Sequence, residues 1–190
     1  MMGLILGGLL AYLIGAIPMG YLLTRVTKKI DIRQHGSGNI GATNVLRTAG
    51  KTAAVITLIF DILKGYFVVQ FLPSLLQCQE YVFVLGFIVI AGHNWPVFLK
   101  FKGGKGVATS AGVLLALCPK LLLIGLAAWI LVFAFTKIVS VSSIISAAAI
   151  PTAALLLQYS PNVRIFTAAV AILTILRHSE NIKRLLKGEE

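Results

Sequence analysis

Apolar stretches separated by short polar ones run along this 190-residue chain from end to end. They extend from Met2 to Leu23, Thr52 to Leu72, Tyr81 to Leu99, Val107 to Cys118, Leu121 to Thr136, Ile138 to Gln158, and Ile165 to Leu176. The longer ones approach the roughly 20 residues that a helix needs to cross the hydrocarbon core, where a spanning segment must satisfy its own backbone groups. The pattern predicts an all-α integral membrane protein with about seven transmembrane helices. One region is ambiguous: Val107 to Thr136 reads either as two short helices turning at Pro119-Lys120 or as one long helix kinked at Pro119.

Charge asymmetry separates the two readings. With seven spans and the N-terminus outside, 14 of the 17 Lys and Arg residues fall on the cytoplasmic side, with Lys120 and Arg164 outside and Lys64 within a span. Merging the disputed pair flips everything after it and leaves 10 inside. Seven spans and a cytoplasmic C-terminus therefore fit the positive-inside rule better. Composition adds that 58% of residues are hydrophobic and 12% charged, against roughly 45–50% and 25% in soluble domains. Residues 1–190 are thus expected to form a single polytopic membrane domain, without an interdomain linker or repeat.

The net charge of +11 does not point to nucleic acid, because the basic residues sit in short loops between apolar segments. Cys78 and Cys118 fit neither a metal-ligand spacing nor a redox motif. The stretch from Met2 to Leu23 lacks a basic n-region and a small-residue cleavage site, so it reads as the first span rather than a removable signal.

In this topology Thr24 to Lys51, Lys100 to Gly106 and the tail from Arg177 face the cytoplasm, joined by a small turn from Lys137 to Ser143. The first region contains a formal G-x-G-x-x-G at Gly36, Gly38 and Gly41. A dinucleotide fold is excluded, since that fingerprint requires a preceding strand and here a membrane helix precedes it. The physics still transfers: glycines let amides converge on an anion, and a helix starting at Ala42 would favour negative charge at its N-terminus. Ser37, Asn39, Thr43 and Asn44 add donors, and Arg47 offers a planar fork for phosphate. The competing reading is a tight turn with helix caps.

The second loop carries Lys-Gly-Gly-Lys-Gly at Lys102 to Gly106, too compact for a nucleotide-hydrolysing P-loop. Gly103, Gly104 and Gly106 permit close backbone approach, Lys105 supplies a mobile charge, and a helix N-terminus follows. Lys100 and Lys102 read as positive-inside anchors, and His93 as a span-end histidine bonded to backbone. In the tail His178, Asn181 and Arg184 share a helical face, while Lys183 and Lys187 suit anionic lipid. Asp61 and Lys64, charges within a span, are expected to form an i,i+3 ion pair. Gly7, Gly8, Gly15, Ala16, Gly20, Ala147, Ala148 and Ala149 are expected to let helices approach closely.

Three segments carry a joint signature: Gly-Ser-Gly-Asn-Ile-Gly-Ala-Thr-Asn at Gly36 to Asn44, Phe-Lys-Gly-Gly-Lys-Gly-Val-Ala-Thr at Phe101 to Thr109, and His178 with Asn181-Ile182 and Arg184-Leu185. Together they strongly resemble the bacterial acyl-phosphate:glycerol-3-phosphate acyltransferase (PlsY) family. Ile40 stands where many members carry proline. The resemblance implies transfer of a fatty acyl group from acyl phosphate to the sn-1 hydroxyl of glycerol 3-phosphate, giving lysophosphatidic acid and phosphate in phospholipid synthesis. It implies catalytic roles for Ser37, Lys105 and His178. Substrate contacts would come from Gly38, Asn39, Thr43, Asn44, Arg47, Gly103, Gly104, Gly106, Thr109, Ser143 and Asn181, and Glu190 would be structural.

No cofactor or metal is expected. The expected partners are acyl phosphate, glycerol 3-phosphate and membrane lipids, with no nucleic acid and with a transient contact to the acyl-phosphate-producing enzyme. The location implied is the bacterial cytoplasmic membrane, with the site facing the cytoplasm. A His-x4-Asp dyad is absent, since Ile40, Phe98 and Lys183 lie five residues beyond the three histidines. The alternative function is a membrane transporter for a phosphorylated organic anion, although the outer connections are short and poor in anion ligands.

Overall fold

A computed structural model describes residues 2–190. Ten α-helices account for most of them: α1 Met2–Ala16, α2 Met19–Lys28, α3 Ala42–Ala49, α4 Lys51–Leu75, α5 Val82–Asn94, α6 Val107–Leu117, α7 Pro119–Thr136, α8 Val139–Leu156, α9 Pro161–Arg177 and α10 Ser179–Leu186. No strand occurs among the described residues. Five helical stretches are long and apolar enough to cross a bilayer, namely Met2–Lys28, Lys51–Leu75, Gln79–Leu99, Pro119–Thr136 and Val139–Leu156. The protein is therefore an all-α integral membrane protein. Apolar side chains left outside the packing, such as Phe135, Leu123 and Ile165, are largely exposed and suit lipid.

Proline sets two of the boundaries. The first apolar stretch breaks at Ile17-Pro18, where the ring removes a donor, and α1 gives way to α2. The disputed region also resolves into two helices. Cys118 leaves the helical conformation, at φ −147° and ψ 64°, Pro119 takes the first position of α7, and its missing N–H is tolerated there. At 11 residues α6 spans only about 17 Å, well short of the roughly 30 Å core. Helix α9 has 17 residues and begins at Pro161, four residues before the expected apolar start.

The helices cluster into two compact units, Met1–Leu117 and Cys118–Glu190. In the first, α1 packs on α5 and α4 on α6. Both crossings are reciprocal glycine contacts: Gly15 abuts the Val89 carbonyl and Gly92 that of Tyr12, while Gly65 abuts the Thr109 carbonyl and Gly112 that of Ile62. A Cβ at any of these four would overlap backbone of the facing helix. Of the small residues expected to let helices approach, Gly15 does, Gly20 instead meets the Ile40 carbonyl of the first loop, and Gly7 and Gly8 leave ordinary room for a Cβ.

In the second unit α8 packs against both α7 and α9. The Ser146 hydroxyl donates to the Gly125 carbonyl at 2.7 Å and the Trp129 indole to Ser143 Oγ at 3.2 Å, an antiparallel register between α7 and α8.

Gly112→Ala should lower the thermal midpoint in detergent, by an amount equivalent to about 1–3 kcal/mol of overpacking, because the facing atom is backbone. Gly8→Ala, which meets only the flexible end of Ile88, should leave the midpoint unchanged or raise it through helix propensity.

Candidate functional site

The first loop is built around one buried amide. Asn44, in the first turn of α3, is 2% exposed, and its Nδ2 donates to the carbonyls of Asn39 at 2.9 Å and His35 at 3.0 Å, with Ile32 further off at 3.5 Å. Its Oδ1 accepts the Ser37 N–H at 3.0 Å. A single side chain thereby satisfies backbone groups on both arms of the loop. Asn39 adds an Asx turn, its Oδ1 accepting from the Gly41 N–H at 2.8 Å. Gly36 and Gly38 take left-handed backbone, φ 59° and 70°, which a β-carbon would strain.

The density of polar residues that marked this loop in the sequence thus divides. Asn44, and the carbonyl oxygen of Asn39, hold the loop; Ser37, Thr43 and Arg47 are exposed. Upstream, Asp31 caps a 3-10 turn by accepting from the Arg33 N–H and also grips its guanidinium at 2.6 Å, while Arg33 lies over the Tyr21 ring. The hydrogen bonds and charge of Arg33 outweigh burial and hold the Asp31 carboxyl at about 2, below the usual 3.8. This clasp therefore contributes fully above the ordinary aspartate value and is lost as pH falls from there through about 2.

The second loop shares a floor with the first. Ile32, Ile40, Val45, Ala53, Ala54 and Leu99 form one buried cluster, so Ile40 of the first loop and Leu99 of the second seat both on a common apolar base. Past Leu99 the chain turns through left-handed Lys100 and Phe101, and Gly106 has φ 80° just before α6. The Gly104 N–H donates to the His93 carbonyl at 3.0 Å. Gly103 is closed in by the His93 and Asn94 carbonyls and Pro96, and Gly104 by the His93 ring, so neither has room for a Cβ. Thr109 is fully buried in the first turns of α6, and Lys105 is half-buried.

Two residues lie under this loop: Asn94, which the sequence did not single out, and His93, expected only to bond backbone at a span end. Asn94 is wholly buried, neither of its amide atoms hydrogen bonds to another residue, and its Oδ1 lies 2.9 Å from where a Gly106 Cβ would stand. His93 is buried against the Asp61–Lys64 pair. That pair is the expected i,i+3 bridge, with Nζ to Oδ1 2.7 Å. The available signal was a second polar residue at the end of an apolar span, immediately before a glycine loop.

In the second unit, His178 is 3% exposed and its Nδ1 lies 2.7 Å from the Thr174 carbonyl. A carbonyl can only accept, so Nδ1 carries a proton and Nε2 is the basic nitrogen of a neutral ring. Asn181 Nδ2 donates to Glu190 Oε1, and Arg184 Nε to Oε2 at 2.8 Å. Burial would raise the Glu190 carboxyl, but the hydrogen bonds from Asn181 and Arg184 and the charge of Arg184 hold it below its ordinary value. Ser143, buried on α8, gives its proton to the Val139 carbonyl at 2.9 Å and accepts from Trp129. Its single proton is committed, so it could donate to a substrate only by releasing the Val139 carbonyl, although its second lone pair can still accept.

Comparison with known proteins assigns the family. The glycerol-3-phosphate acyltransferase family model matches residues 5–188. The chain belongs to this family. A glycerol-3-phosphate acyltransferase of Thermoanaerobacter pseudethanolicus is 46% identical over 186 residues, covering 98% of this chain and 93% of that protein. One of Desulforamulus reducens is 46% identical over 180 residues, covering 95% and 90%. Among solved structures, the glycerol 3-phosphate form of PlsY (YgiH), an integral membrane glycerol 3-phosphate acyltransferase, superposes with TM-score 0.91 at 36% identity, covering 98% of this chain and 93% of that one. Its lysophosphatidic acid form gives 0.88. As a member of the glycerol-3-phosphate acyltransferase family, the chain is an enzyme, and its loops are read accordingly.

Asn44→Ala should remove the loop's central hydrogen bonds and cost about 2–4 kcal/mol, seen as a lower thermal midpoint and proteolysis between residues 35 and 44. Arg47→Ala, exposed and bonded to nothing nearby, should cut acyl transfer while leaving the midpoint unchanged.

Proposed function

We propose that this acyltransferase takes its acyl group from acyl phosphate and delivers it to the sn-1 hydroxyl of glycerol 3-phosphate, releasing lysophosphatidic acid and inorganic phosphate. The observation that carries the reading is the pair of loops on one apolar base, each rich in glycine and each entering a helix N-terminus, the second carrying Lys105 and the first leading into α3, whose last turn carries Arg47. Both substrates bear phosphate, and a backbone pre-shaped to receive one needs little reorganisation on binding. Family membership favours acyl transfer over transport of a phosphorylated anion.

In this reading Gly103, Gly104, Gly106 and Thr109 receive the acyl phosphate, and Lys105 neutralises charge growing on the leaving phosphate. Ser37, Gly38, Asn39, Thr43 and Arg47 hold the reacting groups, with Asn44 fixing the loop that carries them. His178 and Asn181 engage glycerol 3-phosphate, and Ser143 remains a subsidiary contact. The donor is already activated, so the glycerol oxygen attacks the acyl carbon directly, the bond from that carbon to the phosphate oxygen breaks, and the hydroxyl proton passes to a phosphate oxygen or to Nε2 of His178.

The same reading takes residues 1–190 as one membrane acyltransferase domain with seven spans. Its N-terminus is outside, its C-terminus is cytoplasmic, and the site opens to the cytoplasm at the bacterial inner membrane. The enzyme that makes acyl phosphate would meet that face transiently.

Purified protein given glycerol 3-phosphate should form lysophosphatidic acid with acyl phosphate and not with acyl-CoA; the reverse preference would overturn the donor assignment. Lys105→Ala should lower kcat/KM by about 10²–10³. Rapid quenching should find no acyl group on Ser37 or Ser143, and finding one would replace direct transfer by a two-step route.

A further inference from the structure

Lys64 lies on α4, inside a span, with its side chain 8% exposed. An ammonium has three protons and no acceptor, and in a lipid-surrounded bundle each proton left unmatched is costly. Lys64 has an acceptor for each. Nζ is 2.7 Å from Asp61 Oδ1, 3.3 Å from the Ile17 carbonyl where Pro18 breaks the first span, and 2.8 Å from His93 Nδ1.

This fixes the histidine. Nδ1 also lies 3.5 Å from Asp61 Oδ1, but the ammonium is closer at 2.8 Å and can only donate, so His93 Nδ1 accepts, and the proton of the neutral ring is on Nε2. The Nε2 edge is the part of His93 that meets Gly104: Nε2, Cε1 and Cδ2 are the three atoms nearest to a Cβ placed there. The His93 carbonyl meanwhile accepts the Gly104 N–H. Ring and backbone of one residue therefore bear on the same glycine.

We propose that His93 is a positioning residue for the acyl-phosphate loop, with the Asp61–Lys64 pair holding its Nε2–H toward Gly104 and so setting the affinity for the acyl donor. This rests on reading Gly103 to Gly106 as the donor loop. The buried pair then has a use beyond neutralising itself: it fixes a tautomer and a ring orientation, and through them the shape of the loop.

The experiment uses the full enzyme and separates KM for acyl phosphate from KM for glycerol 3-phosphate. His93→Gln keeps a donor near the Nε2 position and should hold KM for acyl phosphate within about threefold of the parent, the worth of less than one hydrogen bond. His93→Asn ends near the Nδ1 position, and Lys64→Met frees the ring. Each should raise KM for acyl phosphate roughly tenfold, the order of one buried hydrogen bond, with KM for glycerol 3-phosphate unchanged. Equal effects of His93→Gln and His93→Asn, or equal effects on both KM values, overturn the proposal.

Gly104→Ala serves as the control for the loop reading. If it leaves KM for acyl phosphate unchanged, the donor-loop reading falls and the proposal with it; if it raises that KM while His93→Asn does not, the proposal alone falls. Nitrogen-15 spectra of the histidine-labelled parent enzyme supply a readout independent of how the variants fold. His93 should show an unprotonated Nδ1 and a protonated Nε2 whose signal moves when acyl phosphate is added, and the opposite tautomer overturns the assignment.

Discussion

A lysine ammonium within a membrane helix has to deliver three protons to three acceptors, and the way Lys64 does so fixes much of the first unit. One acceptor is on its own helix, one is a carbonyl at the α1–α2 break, and one is a ring on α5. Moving α1–α2 or α5 by a hydrogen-bond length would leave one ammonium proton without an acceptor in lipid, at a cost of about 1–3 kcal/mol, although the pair with Asp61 would survive. The break at Pro18 is tolerated for the same reason: a side chain from a neighbouring helix takes up the polar backbone that the proline exposes. The same ion pair therefore closes a gap in one span and orients a side chain at the end of another.

Close helix contact makes this reach feasible. Reciprocal glycine contacts bring α1 to α5 and α4 to α6 until backbone meets backbone, which holds the helices that carry Lys64 and His93 in place. Tight crossings also hold the two loops in register with the bundle below. Ile40 and Leu99, one from each loop, are buried in the same apolar cluster, which makes the loops extensions of the packing rather than tethers above it.

The order of helices, the split at Pro119 and the intrahelical bridge were legible in the sequence because each follows from a local rule: span length, proline geometry, i,i+3 spacing. The break at Pro18 lay within an uninterrupted apolar run, so hydropathy alone read through it. Gly65, Gly92 and Gly112 escaped notice because a contact glycine is defined by the helix opposite, and a single glycine in a span has no partner visible along the chain. His93 read as a span-end histidine bonded to backbone, and its contact with the ion pair escaped for a related reason. Its role depends on a lysine 29 positions earlier, a separation that no helical periodicity spans.

The first loop shows why residue type at a motif position underdetermines role. Asn44 and Arg47 both read as anion ligands, and both are donors within one short stretch of sequence. Burial separates them: the Asn44 amide is wholly committed to loop backbone, whereas Arg47 stands exposed. A phosphate cradle needs both kinds, because amides converge on an anion only if something else holds the loop in that shape before the anion arrives. The tail is held in the same way, with Glu190 accepting from Asn181 Nδ2 and Arg184 Nε, and the Thr174 carbonyl fixing the His178 ring through Nδ1. Part of each polar motif is spent on rigidity, and that rigidity lets the remainder meet a charged substrate without first rearranging.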